Sequence, residues 1–267
     1  MPNINLKVKI PIYQVDAFTD HLFGGNPAAV CPLTDWISDH VMQNIAMENN
    51  LAETAFIVKG KNQFHIRWFT PLVEVDLCGH ATLASAHVIY QFLDWKESKI
   101  QLHSRSGELL VQKNGDLITL NFPSDSFQKV TPPPFLIESL NVTPLEIYLG
   151  KTDYLIVVNS QKEVEQLNPD FGLMKKSECR GVMVTAIGNE SDFVSRFFAP
   201  MVGVNEDAVT GSAHTTLIPY WSKKLNKTEM TAIQLSKRTG HLFCKYLGDR
   251  IEISGNAVTY MIGEIEV

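Results

Sequence analysis

The chain is 267 residues long, 45% hydrophobic and 19% charged, enough to bury a substantial core in one large domain or two modest ones. Its formal net charge is -6 and it has no dense Lys/Arg run, so there is no field to draw a phosphate backbone or an anionic membrane, and nucleic acid is not expected as a partner. No stretch approaches the ~18 consecutive apolar residues of a membrane span, so no membrane role is expected either.

Taken in chain order, the opening segment carries Pro11 and charges where a secretion signal needs an apolar run, which predicts a cytoplasmic protein. Cys31, Cys78, Cys179 and Cys244 stand far apart with no CxxC pair, so they read as reduced thiols and not as a disulfide framework or zinc knuckle. Residues 50–58 form an apolar run that reads as a buried strand with Glu53 at its mouth. After Gly79, residues 82–90 are apolar on most sides, which marks a helix surrounded by protein. The small residues Ala81, Ala84, Ser85 and Ala86 would let strands pack close to it. Residues 108–120 alternate around Asn114-Gly115 as a β-hairpin does. Pro132, Pro133 and Pro134 then interrupt any ladder or helix. Beyond them the pattern returns: an apolar helical run over 215–221 follows Gly211, and residues 241–253 alternate around Leu247-Gly248.

That return is an internal repeat. The segment from Ile100 lies on the segment from Ile233 without a gap, matching Ile100, Gln101, Leu102, Arg105, Gly107, Leu109, Gly115 and Asp116 with Ile233, Gln234, Leu235, Arg238, Gly240, Leu242, Gly248 and Asp249. Upstream, Arg67, Phe69, Pro71, Val73 and Val75 meet Arg196, Phe198, Pro200, Val202 and Val204. A three-residue insertion after that places Cys78-Gly79-His80-Ala81 on Thr210-Gly211-Ser212-Ala213. Matched Gly and Arg positions are not a composition effect, so the halves are read as copies of one fold, each a curled sheet around one buried helix. The expected division is residues 1–123 and 124–267, with the turn between copies near the prolines and the last strand, near 257–267, able to return to the first domain.

Two copies facing each other would aim equivalent helix N-termini into one interdomain cleft, where unpaired N–H groups and partial positive charge cradle a carboxylate or phosphate. Gly79 and Gly211 would let backbone approach that ligand. Glu53, if partly desolvated, would have its pKa raised toward the working range of a general acid/base; an ordinary solvated strand-end glutamate is the competing reading. Asp207 reads as an N-cap or loop acceptor, or as a substrate-binding group. His80 reads as a donor or proton relay, or as a cap partner. Cys78, His80 and His87 lack the paired spacing of a zinc site, so no metal is expected. No GxGxxG or GxxxxGK[ST] segment anchors a nucleotide, so no cofactor is expected.

At these residues the sequence resembles the PhzF family of phenazine biosynthesis-like proteins, which shares its fold with diaminopimelate epimerase. The motifs are Val15-Asp16-Ala17-Phe18, Gly25-Asn26-Pro27-Ala28, Ala52-Glu53-Thr54-Ala55-Phe56, Arg67-Trp68-Phe69-Thr70-Pro71, Asp76-Leu77-Cys78-Gly79-His80-Ala81-Thr82 and Glu206-Asp207-Ala208-Val209-Thr210-Gly211-Ser212-Ala213, and they run through nearly the whole chain. The resemblance implies an α+β (α/β) protein of two pseudo-symmetric domains, each a barrel-like, mostly antiparallel sheet around a central helix, and a homodimer. It implies a cofactor-independent isomerase that shifts a proton within a small carboxylate, with Glu53 as the acid/base. Asn26, Cys78, Gly79, His80, Asp207, Thr210, Gly211 and Ser212 are implied to surround the substrate. Two departures matter. Diaminopimelate epimerase opposes two thiols, whereas here Cys78 matches the first and Thr210 stands at the second, a poor base at neutral pH. Ala208 replaces the more usual Pro beside Asp207. The alternatives are a thiol-dependent epimerase using Cys78 and a non-catalytic metabolite-binding protein.

Overall fold

A computed structural model describes residues 8–267; the opening residues read above for a secretion signal lie partly outside that range. Two compact units emerge, one holding the chain up to Phe23, Pro27–Ile118 and Asn256–Val267, the other Gly24–Asn26 and Thr119–Gly255. The change of unit therefore falls between Ile118 and Thr119, and the three prolines lie inside the second unit, ahead of a short helix. They break a ladder locally without dividing the copies.

The first unit runs β1 (Lys9–Ala17), β2 (Asn26–Leu33), α1 (Asp39–Asn49), β3 (Glu53–Lys59), β4 (Phe64–Phe69), β5 (Glu74–Val75), α2 (Gly79–Phe92), β6 (Lys99–Ser104) and β7 (Gly107–Asn114). The C-terminal strand Ala257–Glu266 pairs antiparallel with β1, register Lys9 to Glu266. Along the sheet, β2 and β3 are parallel, β3 and β4 antiparallel, β4 and β6 parallel, β6 and β7 antiparallel. Helix α2 packs on β1, β3 and the C-terminal strand, and nine of its residues, from His80 to Ile89, are buried. A helix apolar all round needs protein all round, which the curled sheet supplies. On the other face of β3 lies α1, with Met42 and Ile45 set against Phe56 and Phe69. Covered on both sides, β3 has four consecutive buried residues instead of alternation.

The second unit continues with β8 (Leu117–Pro123), β9 (Gln128–Lys129), α3 (Leu136–Leu140), β10 (Glu146–Leu149), β11 (Asp153–Val157), α4 (Gln161–Glu165), α5 (Phe171–Lys175), β12 (Gly181–Ile187), β13 (Phe193–Ala199), a 3-10 turn at Pro200–Val202, β14 (Val204–Asp207), α6 (Gly211–Leu225), β15 (Glu229–Gln234), β16 (Gly240–Tyr246) and β17 (Arg250–Gly255). From β11 to β12, β13, β15 and β16 the pairing is parallel, antiparallel, parallel, antiparallel, the same succession as in the first unit. Helix α6 touches both β11 and β17, so the sheet bends around it, and α3, α4 and α5 cover the outer core of Val182, Val184 and Phe198. Two α+β units of one design are thus present.

The ladders correct the sequence alignment in two places. Phe64 pairs with Leu102 in the first unit, and its equivalent Phe193 pairs with Ala232 in the second, so Leu102 corresponds to Ala232 and not to Leu235. Ser104 faces Gly107 across a tight turn, whereas Gln234 faces Gly240 across a turn three residues longer. A shift of three is odd and exchanges the faces of a strand: Gln101 is exposed while Gln234 is fully buried. Likewise Trp68 pairs with Val75 and its equivalent Phe197 with Asp207, so the upstream insertion sits in the turn after Pro200, and Asp207 corresponds to Val75 instead of Val204 standing there. The matches from Arg105 and Gly107 onward stand: Gly115 and Gly248 both take positive φ at a strand-to-strand turn, and β16 returns antiparallel on β17.

Candidate active site

In the first unit β3 opens on Glu53, which pairs in register with Ala28 of β2, and α2 opens on Gly79 with Cys78 as its N-cap. The fold therefore sets Glu53 against the first turn of α2. Nε2 of His80 lies 3.0 Å from Oε2 of Glu53, whose side chain is only 18% exposed. That oxygen is itself buried, and its contact with the ring is a close ion pair with imperfect hydrogen-bond alignment. Sγ of Cys78 sits 3.6 Å from Nδ1 and 4.0 Å from Nε2 of the same ring. Glu53 is thus no solvated strand-end carboxylate, and His80 is no mere cap partner.

Charge follows from this packing. Burial pushes the Glu53 carboxyl up, as anticipated, but the charge and hydrogen bonding of His80, with the Cys78 thiol, pull it down further, and it ends below its ordinary value of 4.5. The rise expected from burial is therefore overturned by a neighbour the sequence did not place. Burial alone would strip His80 of its proton; the acidic groups Cys78 and Glu53 hold it well above 6.5. Burial, then the Glu53 charge, pushes the Cys78 thiol up to about 11. At neutral pH the trio is carboxylate, imidazolium and thiol, closed at no net charge.

His87, grouped with Cys78 and His80 by sequence, is elsewhere: its Nε2 meets Oγ1 of Thr259 at 2.9 Å, and burial lowers its pKa to about 4. Among the described residues the set able to converge on a metal is instead Glu53, Cys78 and His80, whose donor atoms lie within 4.8 Å of one another.

In the second unit α6 opens on Gly211 with Thr210 as N-cap, neither Cys78 nor Thr210 making a side-chain cap. Asp207 is not the cap. Its Oδ1 accepts from Nδ2 of Asn26 at 2.8 Å and its Oδ2 from the Thr210 hydroxyl at 2.6 Å. The same Asn26 amide donates to the Val209 carbonyl at 2.9 Å, and Arg238 holds the preceding carbonyls of Gly24 and Gly25 at 2.8 and 2.9 Å. Ser212 is exposed.

One member of this network escaped the sequence reading. Gln234 accepts from the Thr210 amide at 2.8 Å and donates to the Asp207 carbonyl at 2.9 Å. A buried glutamine with both ends satisfied fixes the loop that precedes α6. The signal was present, since Gln234 stands in the repeat, but the slipped register put it on the wrong face. Also unforeseen are two equivalent clamps: Arg67 holds Glu74 with two bonds of 2.7 Å, and Arg196 holds Glu206 with bonds of 2.7 and 3.0 Å. Each bidentate fork ties the hairpin leading to a glycine-first helix.

Each helix start is also closed by a side chain one turn on. Thr82 donates its hydroxyl to the Cys78 carbonyl, and His214 meets the Thr210 carbonyl through Nδ1 at 2.8 Å, burial lowering its pKa to about 4. The carbonyls are occupied, while the N–H groups of the first turns at Gly79 and Gly211 remain the part of each helix suited to an anion.

The sequence matches the phenazine biosynthesis-like (PhzC-PhzF) family over residues 15–263. It is 49% identical to an uncharacterized isomerase of Pseudomonas aeruginosa, over 97% of this chain and all of that one. A crystal structure of a PhzF-family phenazine biosynthesis protein from Enterococcus faecalis superposes with a TM-score of 0.95 at 44% identity, covering 97% of this chain and all of that one. A predicted epimerase of Pseudomonas aeruginosa has the same fold at a TM-score of 0.77 and 18% identity, covering 96% and 99% of the two chains.

Proposed function

The chain belongs to the phenazine biosynthesis-like (PhzC-PhzF) family of isomerases, and on that premise we propose that it moves a proton between two carbons of a small carboxylic acid, without a cofactor, using Glu53 as acid and base. The observation that carries this reading is the pairing of the largely buried Glu53 carboxylate with the His80 imidazolium at the start of α2. Glu53 is ionised at neutral pH and so is ready to accept a proton. Its depressed pKa makes it a weak base until a substrate binds. A bound carboxylate adds a like charge and displaces water, and both effects raise Glu53 toward the range in which it takes a proton and returns it. The imidazolium, already protonated, donates to the oxygen on which negative charge develops once the carbon loses its proton.

In this proposal the substrate carboxylate is held by the N–H groups at the glycine-first helix starts and by the Ser212 hydroxyl, with Asp207 and Thr210 lining the site; the support is the duplication and the Asn26-Asp207-Thr210-Gln234 network. Cys78 is a contact to substrate and not a base, because a thiol titrating at about 11 is almost wholly protonated at neutral pH. The cytoplasm as location and a homodimer as assembly belong to the same proposal, the homodimer on family resemblance.

The deciding experiment follows deuterium from solvent into a panel of small unsaturated and cyclic carboxylic acids. The wild-type protein is expected to exchange at least one of them, Glu53→Gln to bind it without exchange, and Cys78→Ser to exchange it. Full exchange by Glu53→Gln overturns the assignment; exchange lost only in Cys78→Ser favours the thiol route; saturable binding with no exchange by the wild type makes the protein a binder.

A further inference from the structure

We propose that Glu53, Cys78 and His80 also form a binding site for a thiophilic divalent cation of the zinc class, which shuts off the proton-transfer site by occupying it. The case is geometric. A four-coordinate zinc ion, with bonds of about 2.3 Å to sulfur and about 2.0 Å to nitrogen or oxygen, separates its ligand atoms by roughly 3.3 to 3.6 Å. Here Sγ of Cys78 is 4.0 Å from Nε2 of His80, and that nitrogen is 3.0 Å from Oε2 of Glu53, so these two edges are within about half an ångström of the coordinated value. The three residues are the described group whose donor atoms converge within 4.8 Å.

A second observation points the same way. Oε2 of Glu53 is buried and makes no well-aligned hydrogen bond, its partner being the His80 ring in a 3.0 Å ion pair, so an inner-sphere cation can take the place of that contact. Charge also balances. The ion enters as the hydrated dication; the Cys78 thiol and the His80 imidazolium each release one proton to solvent, no electrons move, and Sγ, Nε2 and Oε2 replace water while a fourth position keeps one. Two protons leave and two positive charges arrive, so the buried trio stays neutral overall, and the thiolate and carboxylate outweigh the positive end of α2. The occupied Glu53 can no longer take a proton; this blocking effect, unlike the binding itself, rests on the function proposed above.

Cobalt(II) is the probe, added to the full-length, chelator-stripped protein. The expected result is a near-ultraviolet thiolate-to-cobalt band that saturates at one equivalent, is retained in Cys179→Ser, is absent from Cys78→Ser, needs at least about tenfold more cobalt in His80→Gln, and disappears when zinc is added. No band in the wild type, or an undiminished band in Cys78→Ser, overturns the proposal. Cobalt binding as expected alongside exchange that zinc leaves untouched would keep the site and sink the assignment of Glu53 as base; exchange lost in Glu53→Gln with no cobalt band would do the reverse.

Discussion

Cys78 and Thr210 stand at the same point in two copies of one fold, each immediately before the glycine that starts a buried helix, yet the groups around them have diverged. Beside Cys78 are the ring of His80 and the carboxylate of Glu53; at the matching positions the second copy has Ser212 and, by strand register, Gly181. Beside Thr210 are Asp207 and buried Gln234, where the first copy has Val75 and, in the same strand position, Ser104. Duplication kept the backbone frame and its Arg–Glu clamps and left the polar equipment free to specialise. One copy holds the titratable trio of Glu53, Cys78 and His80, the other a fixed hydrogen-bond lattice. The comparison teaches that symmetry of fold is a poor guide to symmetry of chemistry.

The strongest way to break this contrast is Glu53→Gln, expected to slow deuterium exchange by about a thousandfold, within the 10²–10⁴ range of a lost general acid/base, and to lower thermal melting as well because the buried His80 loses its ion-pair partner. Next comes Gln234→Ala, which strands the Thr210 amide and the Asp207 carbonyl in a buried setting. A loss of about 3 kcal/mol in urea unfolding is expected, and a loss under 1 kcal/mol would show that water readily replaces the glutamine.

The Glu53–His80 pair should then write itself into stability against pH. Its imidazolium is held above 6.5, so its contribution is full below that pH and fades as pH rises through the raised folded value; its carboxylate is held below 4.5, so its contribution is full above that pH and fades as pH falls through the lowered one. The melting advantage of wild type over His80→Gln is therefore greatest between pH 4.5 and 6.5 and shrinks on both sides. An advantage that grows from pH 6.5 to 9 would contradict the charge states assigned here. The smallest effect sharpens the register: Gln101→Ala, at an exposed site, should change unfolding by less than about 0.5 kcal/mol, although sequence alone pairs Gln101 with Gln234.

Much of the frame was legible because it rests on local signals. The two helices announced themselves by being apolar all round, and the turns at Gly115 and Gly248 by alternation on either side of a glycine. What escaped depends on pairing between distant strands. A two-residue period does not say which residue faces which across a ladder, so a matched Ile-Gln-Leu masked a turn three residues longer, and with it the burial of Gln234. Glu53 and His80 are 27 positions apart and meet only because β3 and the start of α2 are brought together, so the partner that sets the charge of Glu53 was invisible along the chain. Asp207 was read as an N-cap or loop acceptor or a substrate-binding group, but its role as acceptor for Asn26 required contact between residues 181 positions apart.

The strand Ala257–Glu266 adds a constraint on biosynthesis. It is the partner of β1, so β1 leaves the ribosome well before the strand it pairs with, whereas everything from Thr119 to Gly255 is available sooner. The C-terminal copy is thus positioned to fold while the N-terminal copy still lacks a seam, which makes premature termination near residue 256 a lesion of the half that carries Glu53.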